Sequence, residues 1–156
     1  DKEGKLIRTI KYLKSWCDNC NHKMPSGLAM TILASNAKEK IVLNNRDDIT
    51  LKDILKEIKK ELDRAFKCVV PAIPNDDLFA DFDETRKRNF LNSLSEFIDD
   101  AEKALKEDNQ LKASKLWKKH LGSRYPEGKD EKVQNESRYS AAILGGASIS
   151  KPWASE

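Results

Sequence analysis

The sequence predicts a mainly all-α protein: a helical bundle of about five helices followed by a flexible C-terminal tail. Apolar residues recur at helical spacing over most of the chain as far as residue 121. Charged residues of both signs make up 35% of the 156 residues and hydrophobic residues 38%, which is typical of amphipathic surface helices around one core. The periodicity stops at Pro126, so we predict a helical domain over residues 1–126 and a tail over residues 127–156.

The first two helices are predicted over residues 4–19 and 25–38. The first carries an apolar stripe at helical spacing, formed by Leu6, Ile10, Leu13 and Cys17. The second is apolar or small almost all round, which indicates a central, buried helix. The apolar residues 41–43 that follow it predict a short strand.

The third helix is predicted to begin at Thr50, which forms a capping box with Asp53, and to end near Phe66. Residues 68–81 contain two prolines and predict a connection, with a turn near residues 76–77. The fourth and fifth helices are predicted over residues 84–107 and 110–121. Gly122 stands where a helix C-cap glycine belongs.

Composition restricts the functional classes. The net charge of +3 gives no argument for nucleic-acid binding, and no stretch approaches the roughly 20 apolar residues of a membrane span. Three cysteines over this length favour a reducing compartment, and we expect a cytoplasmic protein without membrane contact. The chain begins inside a helical pattern without a methionine, so we expect it to be either a fragment or a processed form of a longer protein.

We assign no catalytic residue. Asp81 and Asp83 have the D-x-D spacing that two-metal enzymes use for magnesium, but no Gly-Ser phosphate-binding element precedes them. We favour a role at the start of the fourth helix, whose dipole they complement. His120 follows Trp117 on an apolar face and is interpreted as a packed core residue, so a hydrolase triad is disfavoured.

A zinc site is a second, disfavoured hypothesis. Cys17, Cys20 and His22 have ligand spacing, and Cys68 is available as a fourth ligand. The second ligand pair of a closed zinc knuckle is missing, however. Cys17 also falls on the apolar stripe of the first helix, where a free cysteine is ordinary core.

A phosphate site is the more specific hypothesis. Lys11 and Lys14 lie one turn apart on the first helix, and Ser26 opens the second. A helix N-terminus offers free N–H groups to an anion, so Lys14 and Ser26 converge on one polyphosphate if the two helices pack side by side. The alternative is that both lysines are solvated and that Ser26 only caps its helix.

Several runs resemble the C-terminal domain of cGAS/DncV-like nucleotidyltransferases, of the oligoadenylate synthase-like superfamily. Residues 7–17 (IRTIKYLKSWC) and 24–29 (MPSGLA) are similar to the paired helices that open that domain, and residues 14–20 (KSWCDNC) to a run of the oligoadenylate synthases. Residues 117–126 (WKKHLGSRYP) resemble a W-x-x-x-F-G-x-R-F-P run of the bacterial enzymes. The resemblance extends over about residues 4–126.

The resemblance implies a lobe that completes a nucleotide cleft. The family joins nucleoside triphosphates such as ATP or GTP into cyclic or linear second messengers, with Mg²⁺ bound by an N-terminal catalytic lobe. It implies triphosphate contacts from Lys14 and Ser26, with Lys11 as the register alternative to Lys14. Gly27 stands where eukaryotic relatives place a base-stacking tyrosine, so base recognition does not transfer. We expect the chain to be inactive without the catalytic lobe.

The bacterial members of this family function in antiphage defence operons, some with an E1/E2-like protein that conjugates the enzyme's C-terminus. The resemblance thus implies the catalytic lobe, a nucleotide and an E1/E2-like conjugating protein as partners. The alternative is a helical protein-interaction module without a nucleotide role, whose tail is bound or conjugated by a partner.

Overall fold

The computed structural model describes residues 1–128, and residues 129–156 lie outside the described range. The described elements, in chain order, are α1 (Lys2–Asn19), α2 (Gly27–Lys38), α3 (Asp47–Arg64), β1 (Val69–Val70), β2 (Ile73–Asp77), α4 (Glu84–Lys106) and α5 (Gln110–Leu121). This confirms a mainly helical fold with five helices. None of the helices in residues 1–128 is both long and apolar enough to cross a bilayer.

The predicted start of the third helix is wrong, because α3 begins at Asp47 and Thr50 lies inside its first turn. The Thr50 hydroxyl instead accepts a hydrogen bond from the Asn44 amide and donates to the Asn44 carbonyl. Acidic residues favour the positive end of a helix dipole, and Asp47 and Asp48 occupy that first turn. Arg8 of α1 forms a two-point ion pair with the buried Asp47, at 2.7 and 3.2 Å.

The predicted strand at residues 41–43 is also wrong, since these residues form a turn and loop in which Val42 is 90% exposed. A strand needs a partner, and the antiparallel pair forms later, between β1 and β2. Asp77 fixes the end of this hairpin, because its Oδ1 accepts from the Cys68 amide at 2.8 Å and the Phe79 amide at 3.0 Å.

The core lies between the five helices and is rich in aromatic residues. Trp16 of α1 packs against Phe90 and Phe97 of α4, with ring centroids 6.0 and 5.2 Å apart. Phe97 in turn contacts Trp117 of α5 edge to face. Helix α2 packs on α1 and α3 and buries half of its residues, as expected from its apolar sequence. The aromatic contacts thus join α1 to α5 through α4.

The start of α4 and the end of α5 are capped where the sequence predicts them. Asp83 caps α4 by accepting from the Arg86 amide at 2.7 Å, and Gly122 ends α5 with φ of 98°. The first two residues of the predicted tail contact α5. Glu127 pairs with Lys118 at 3.1 Å, and the amide of Gly128 donates to the Ser114 hydroxyl at 2.6 Å.

Candidate phosphate-binding site at the start of helix α2

Helix α1 presents a basic face beside the start of α2. Leu13 and Trp16 point into the core and are at most 1% exposed, which leaves Lys11 and Lys14 on the solvent side. Neither lysine forms an ion pair within the described residues. Within residues 1–128, both ammonium groups thus have no carboxylate partner.

The start of α2 is held in place by the first turn of α4. Met24 and Pro25 are buried, and the Met24 carbonyl accepts a hydrogen bond from Arg86 Nη2 of α4 at 3.0 Å. The Arg86 guanidinium also stacks on the Phe82 ring, 3.6 Å from its centroid. These contacts fix the direction from which the chain enters α2.

Ser26 is the N-cap of α2, and its Oγ accepts from the Ala29 amide at 3.1 Å. This bond uses the serine oxygen as an acceptor and leaves its proton free to donate. The amides of Gly27 and Leu28, the next two residues, have no protein acceptor among residues 1–128. Two backbone amides at this helix end thus lack an acceptor among residues 1–128, and the Ser26 hydroxyl can donate as well, which is the usual arrangement of an anion site.

The Lys14 side chain lies across this helix end. A methyl group in place of the Gly27 hydrogen would lie 3.3 Å from Lys14 Cε and 3.9 Å from Lys14 Nζ. The structure therefore brings Lys14 to the first turn of α2, next to Ser26. Lys11 lies one turn earlier on α1, about 4.5 Å along the helix axis from Lys14. It remains the second candidate cation.

The residues of the zinc hypothesis have other partners. Within residues 1–128 no three His, Cys, Asp or Glu side chains are placed to share a metal ion. His22 Nε2 is hydrogen-bonded to Ser93 Oγ at 2.6 Å, and the buried Cys68 thiol donates to the Ala29 carbonyl at 3.6 Å. Burial raises the pKa of the Cys17 thiol to about 12 and also raises that of Cys20. Cys17 packs against the core, as the apolar stripe indicates.

A buried hydrogen bond between His120 and Asp100 was missed from the sequence. His120 is 7% exposed and stacks on Phe97, as expected for a core residue, but its Nε2 is also 2.7 Å from Asp100 Oδ2. Lys119 Nζ reaches the same carboxylate oxygen at 2.9 Å and Glu96 at 2.8 Å. Burial alone would raise the pKa of Asp100, but the hydrogen bonds from His120 and Lys119 outweigh it and lower the pKa. The pair therefore links α4 to α5.

The D-x-D residues lie at a helix start. Asp83 is the N-cap of α4, and Asp81 is exposed in the preceding turn. This geometry agrees with the helix-start interpretation.

Comparison with known proteins identifies the class of fold. No protein-family profile matches the sequence. The helical fold is shared with solved structures of bacterial cyclic-dinucleotide synthases, at 19% sequence identity.

Those structures are of DncV, the di-nucleotide cyclase of Vibrio cholerae. A mutant in complex with ATP, GTP and 5MTHFGLU2 matches with a TM-score of 0.63, over 77% of this chain and 32% of that chain. The synthase with the linear intermediate 5′ pppA(3′,5′)pG matches with a TM-score of 0.62, over 80% and 37%. The complex with GTP and 5MTHFGLU2 matches with a TM-score of 0.63, over 80% of this chain and 35% of that chain. The chain thus spans about a third of the length of the DncV chains it matches.

Proposed function

We propose that this chain is the helical nucleotide-binding lobe of a second-messenger synthase that joins nucleoside triphosphates into cyclic or linear oligonucleotides. Its role is to bind the donor triphosphate through Lys14 and the start of α2. The observation that supports this most is the position of Lys14 over Gly27, beside the Ser26 hydroxyl. The DncV structures of the same fold contain ATP, GTP or a linear dinucleotide.

The contacts at this site suit a polyphosphate. The ammonium of Lys14 supplies a compact positive charge, and the amides of Gly27 and Leu28 supply directed donors at the positive end of the helix dipole. The Ser26 proton adds a third donor, because its oxygen already accepts from Ala29. A triphosphate held by several such groups is oriented as well as bound, which lowers the entropic cost of the subsequent reaction.

The chemistry itself belongs to a catalytic lobe outside these residues. Magnesium bound there would stabilise the transferring phosphoryl group. The helical lobe would hold the triphosphate against that lobe, and alone it would be inactive. In the same proposal, the enzyme functions in the cytoplasm of a bacterium as part of an antiphage system.

The test is titration of the whole enzyme with ATP and GTP in the presence of magnesium, by calorimetry. We expect Lys14→Ala to weaken triphosphate binding about tenfold or more, since a charged hydrogen bond contributes about 1.5–3 kcal/mol. Lys115→Ala is the matched control, because Lys115 is an exposed lysine of α5. Lys11→Ala tests which of the two lysines contacts the triphosphate. A larger loss of affinity in Lys11→Ala than in Lys14→Ala would assign the contact to Lys11, one turn earlier on α1.

Ser26 needs a variant that separates capping from ligand binding. Asp caps a helix as well as Ser does, so Ser26→Asp should keep α2 stable while its carboxylate repels the triphosphate. Ser26→Ala loses the cap as well, at a cost of about 1 kcal/mol in stability. Unchanged nucleotide affinity in both Lys14→Ala and Ser26→Asp would refute the phosphate site. It would favour the alternative of a protein-interaction module that acts through the tail, which lies largely outside the described residues.

A further inference from the structure

Gly27, the first residue of α2, is not required to be glycine by its backbone conformation. Among residues 1–128, Gly122 is the only glycine with a positive φ, so Gly27 has a conformation that other residues also adopt. Glycine is unfavourable in a helix compared with alanine, because it loses more conformational freedom on folding. Any advantage of glycine at this position therefore lies in the space around it.

The space beside Gly27 is occupied by the side chain of Lys14. A Cβ atom on residue 27 would lie 3.3 Å from Lys14 Cε and 3.9 Å from both Cδ and Nζ, and these are the three heavy atoms nearest to it. Carbon atoms pack best at about 3.5–4.0 Å, so the first of these contacts would be too close. A side chain on residue 27 would thus press against the end of the lysine stem.

Lys14 is free to give way to such a side chain. It is exposed on α1, and it forms no ion pair or side-chain hydrogen bond within residues 1–128. A methyl group on residue 27 requires a shift of a few tenths of an ångström. A branched side chain fills more of the space in which the stem now lies, so the stem has to turn away. Its ammonium then leaves the end of α2.

We propose that Gly27 is a positioning residue, whose missing side chain lets the Lys14 stem cross the first turn of α2 and places the ammonium beside the Ser26 hydroxyl. This inference rests on the proposed triphosphate contact of Lys14. It adds a residue that contributes to triphosphate binding by contacting the lysine. The size of residue 27 thus sets the affinity for the triphosphate, although the charge of the site stays the same.

The test is calorimetric titration of the whole enzyme with ATP and magnesium, repeated with inorganic tripolyphosphate. We expect Gly27→Ala to weaken binding about twofold and Gly27→Val about tenfold, since only the larger side chain displaces the charged group. The losses should be equal for ATP and tripolyphosphate, because Lys14 contacts the phosphates. In urea unfolding, Gly27→Val should be no less stable than the wild type, since valine has the higher helix propensity.

A double-mutant cycle separates an effect through Lys14 from direct obstruction of the ligand. In the Lys14→Ala background, Gly27→Val should change the affinity less than about twofold, because no stem is left to displace. Asn36→Val is the matched control, since Asn36 is an exposed residue of the same helix, about 14 Å further along its axis. It should leave triphosphate affinity unchanged.

Three outcomes would overturn the role of Gly27 and leave the Lys14 contact standing. They are unchanged affinity in Gly27→Val, a loss for ATP without one for tripolyphosphate, and a tenfold loss that persists in the Lys14→Ala background. Unchanged affinity in Lys14→Ala itself would instead refute the proposed function, and the role of Gly27 with it.

Discussion

The pair of Asp100 and His120 allows the sharpest prediction about stability. The Asp100→Asn change keeps the shape of the side chain and removes its charge. The His120 hydrogen bond at 2.7 Å is buried on both sides, and a hydrogen bond to a charged group contributes about 1.5–3 kcal/mol. The Lys119 side chain is 53% exposed, and in the variant it would still pair with Glu96 at 2.8 Å. Losing its ion pair with Asp100 should therefore cost less than about 1 kcal/mol of stability. We expect a total loss of about 2–3 kcal/mol.

The assay is urea unfolding of the chain followed by circular dichroism at pH 7. For a domain of this size, such a loss also lowers Tm by about 5–10 °C. Asp99→Asn is the matched control, because Asp99 is the exposed neighbour on the same helix turn. We expect the control to change the free energy of unfolding by less than about 0.5 kcal/mol.

The pH dependence of this loss has a definite sign. The pKa of Asp100 is lower in the folded protein than its ordinary value of about 4. The ionised Asp100 carboxylate therefore stabilises the fold fully at pH values above about 4. This stabilisation is lost as the pH falls through the lower, folded pKa. The difference between wild type and Asp100→Asn should therefore narrow below about pH 4. A loss under 0.5 kcal/mol at pH 7, or a difference that stays constant as the pH falls, would refute the reasoning.

Three further predictions concern other parts of the fold. Gly122 has φ of 98° and ψ of 175°, a backbone conformation nearly restricted to glycine. Gly122→Ala should therefore lower the free energy of unfolding in urea by about 1–3 kcal/mol, and an unchanged stability would contradict this backbone conformation. Arg8→Met leaves Asp47 buried without its partner and should cost about 1–3 kcal/mol, whereas Lys2→Met should cost almost nothing. Burial raises the pKa of Cys17 to about 12 and that of Cys68 to about 11, so iodoacetamide should label both at least 100-fold more slowly at pH 8 in the folded chain than in urea; equal rates would show that the thiols are accessible.

Local signals in the sequence were sufficient for most helices. The fifth helix was predicted with the observed bounds because Gln110–Leu121 carries an apolar stripe and is followed by the C-cap glycine Gly122. The start of α3 was misplaced because Thr50 and Asp53 match a capping box, although Asp47 and Asp48 in the true first turn also gave a local signal. Arg8, 39 positions away from Asp47, pairs with it across two helices. No local pattern contains that contact.

The candidate site was predictable only in part. The type of site follows from a lysine on one helix and a serine at the start of the next, but their proximity depends on how α1 and α2 pack. The burial of Asp100 could have been read from the sequence, since it follows Phe97 by three positions and precedes Ala104 by four on the apolar face of α4. Its partner His120 could not, because the crossing of α4 and α5 sets which residues meet.

Asn19 connects the first and last helices of the described fold. Its side-chain amide donates to the carbonyls of Lys119 and His120 at 3.0 and 3.2 Å, so residues about 100 positions apart close the end of α5. Helix α1 also buries Trp16 against α4. During synthesis, α1 emerges from the ribosome before α4 and α5, and it gains these contacts only once both have followed it. A nascent chain that ends before α4 would leave Lys14 on an unanchored helix, so the proposed triphosphate site should be complete only after α4 and α5 have been made.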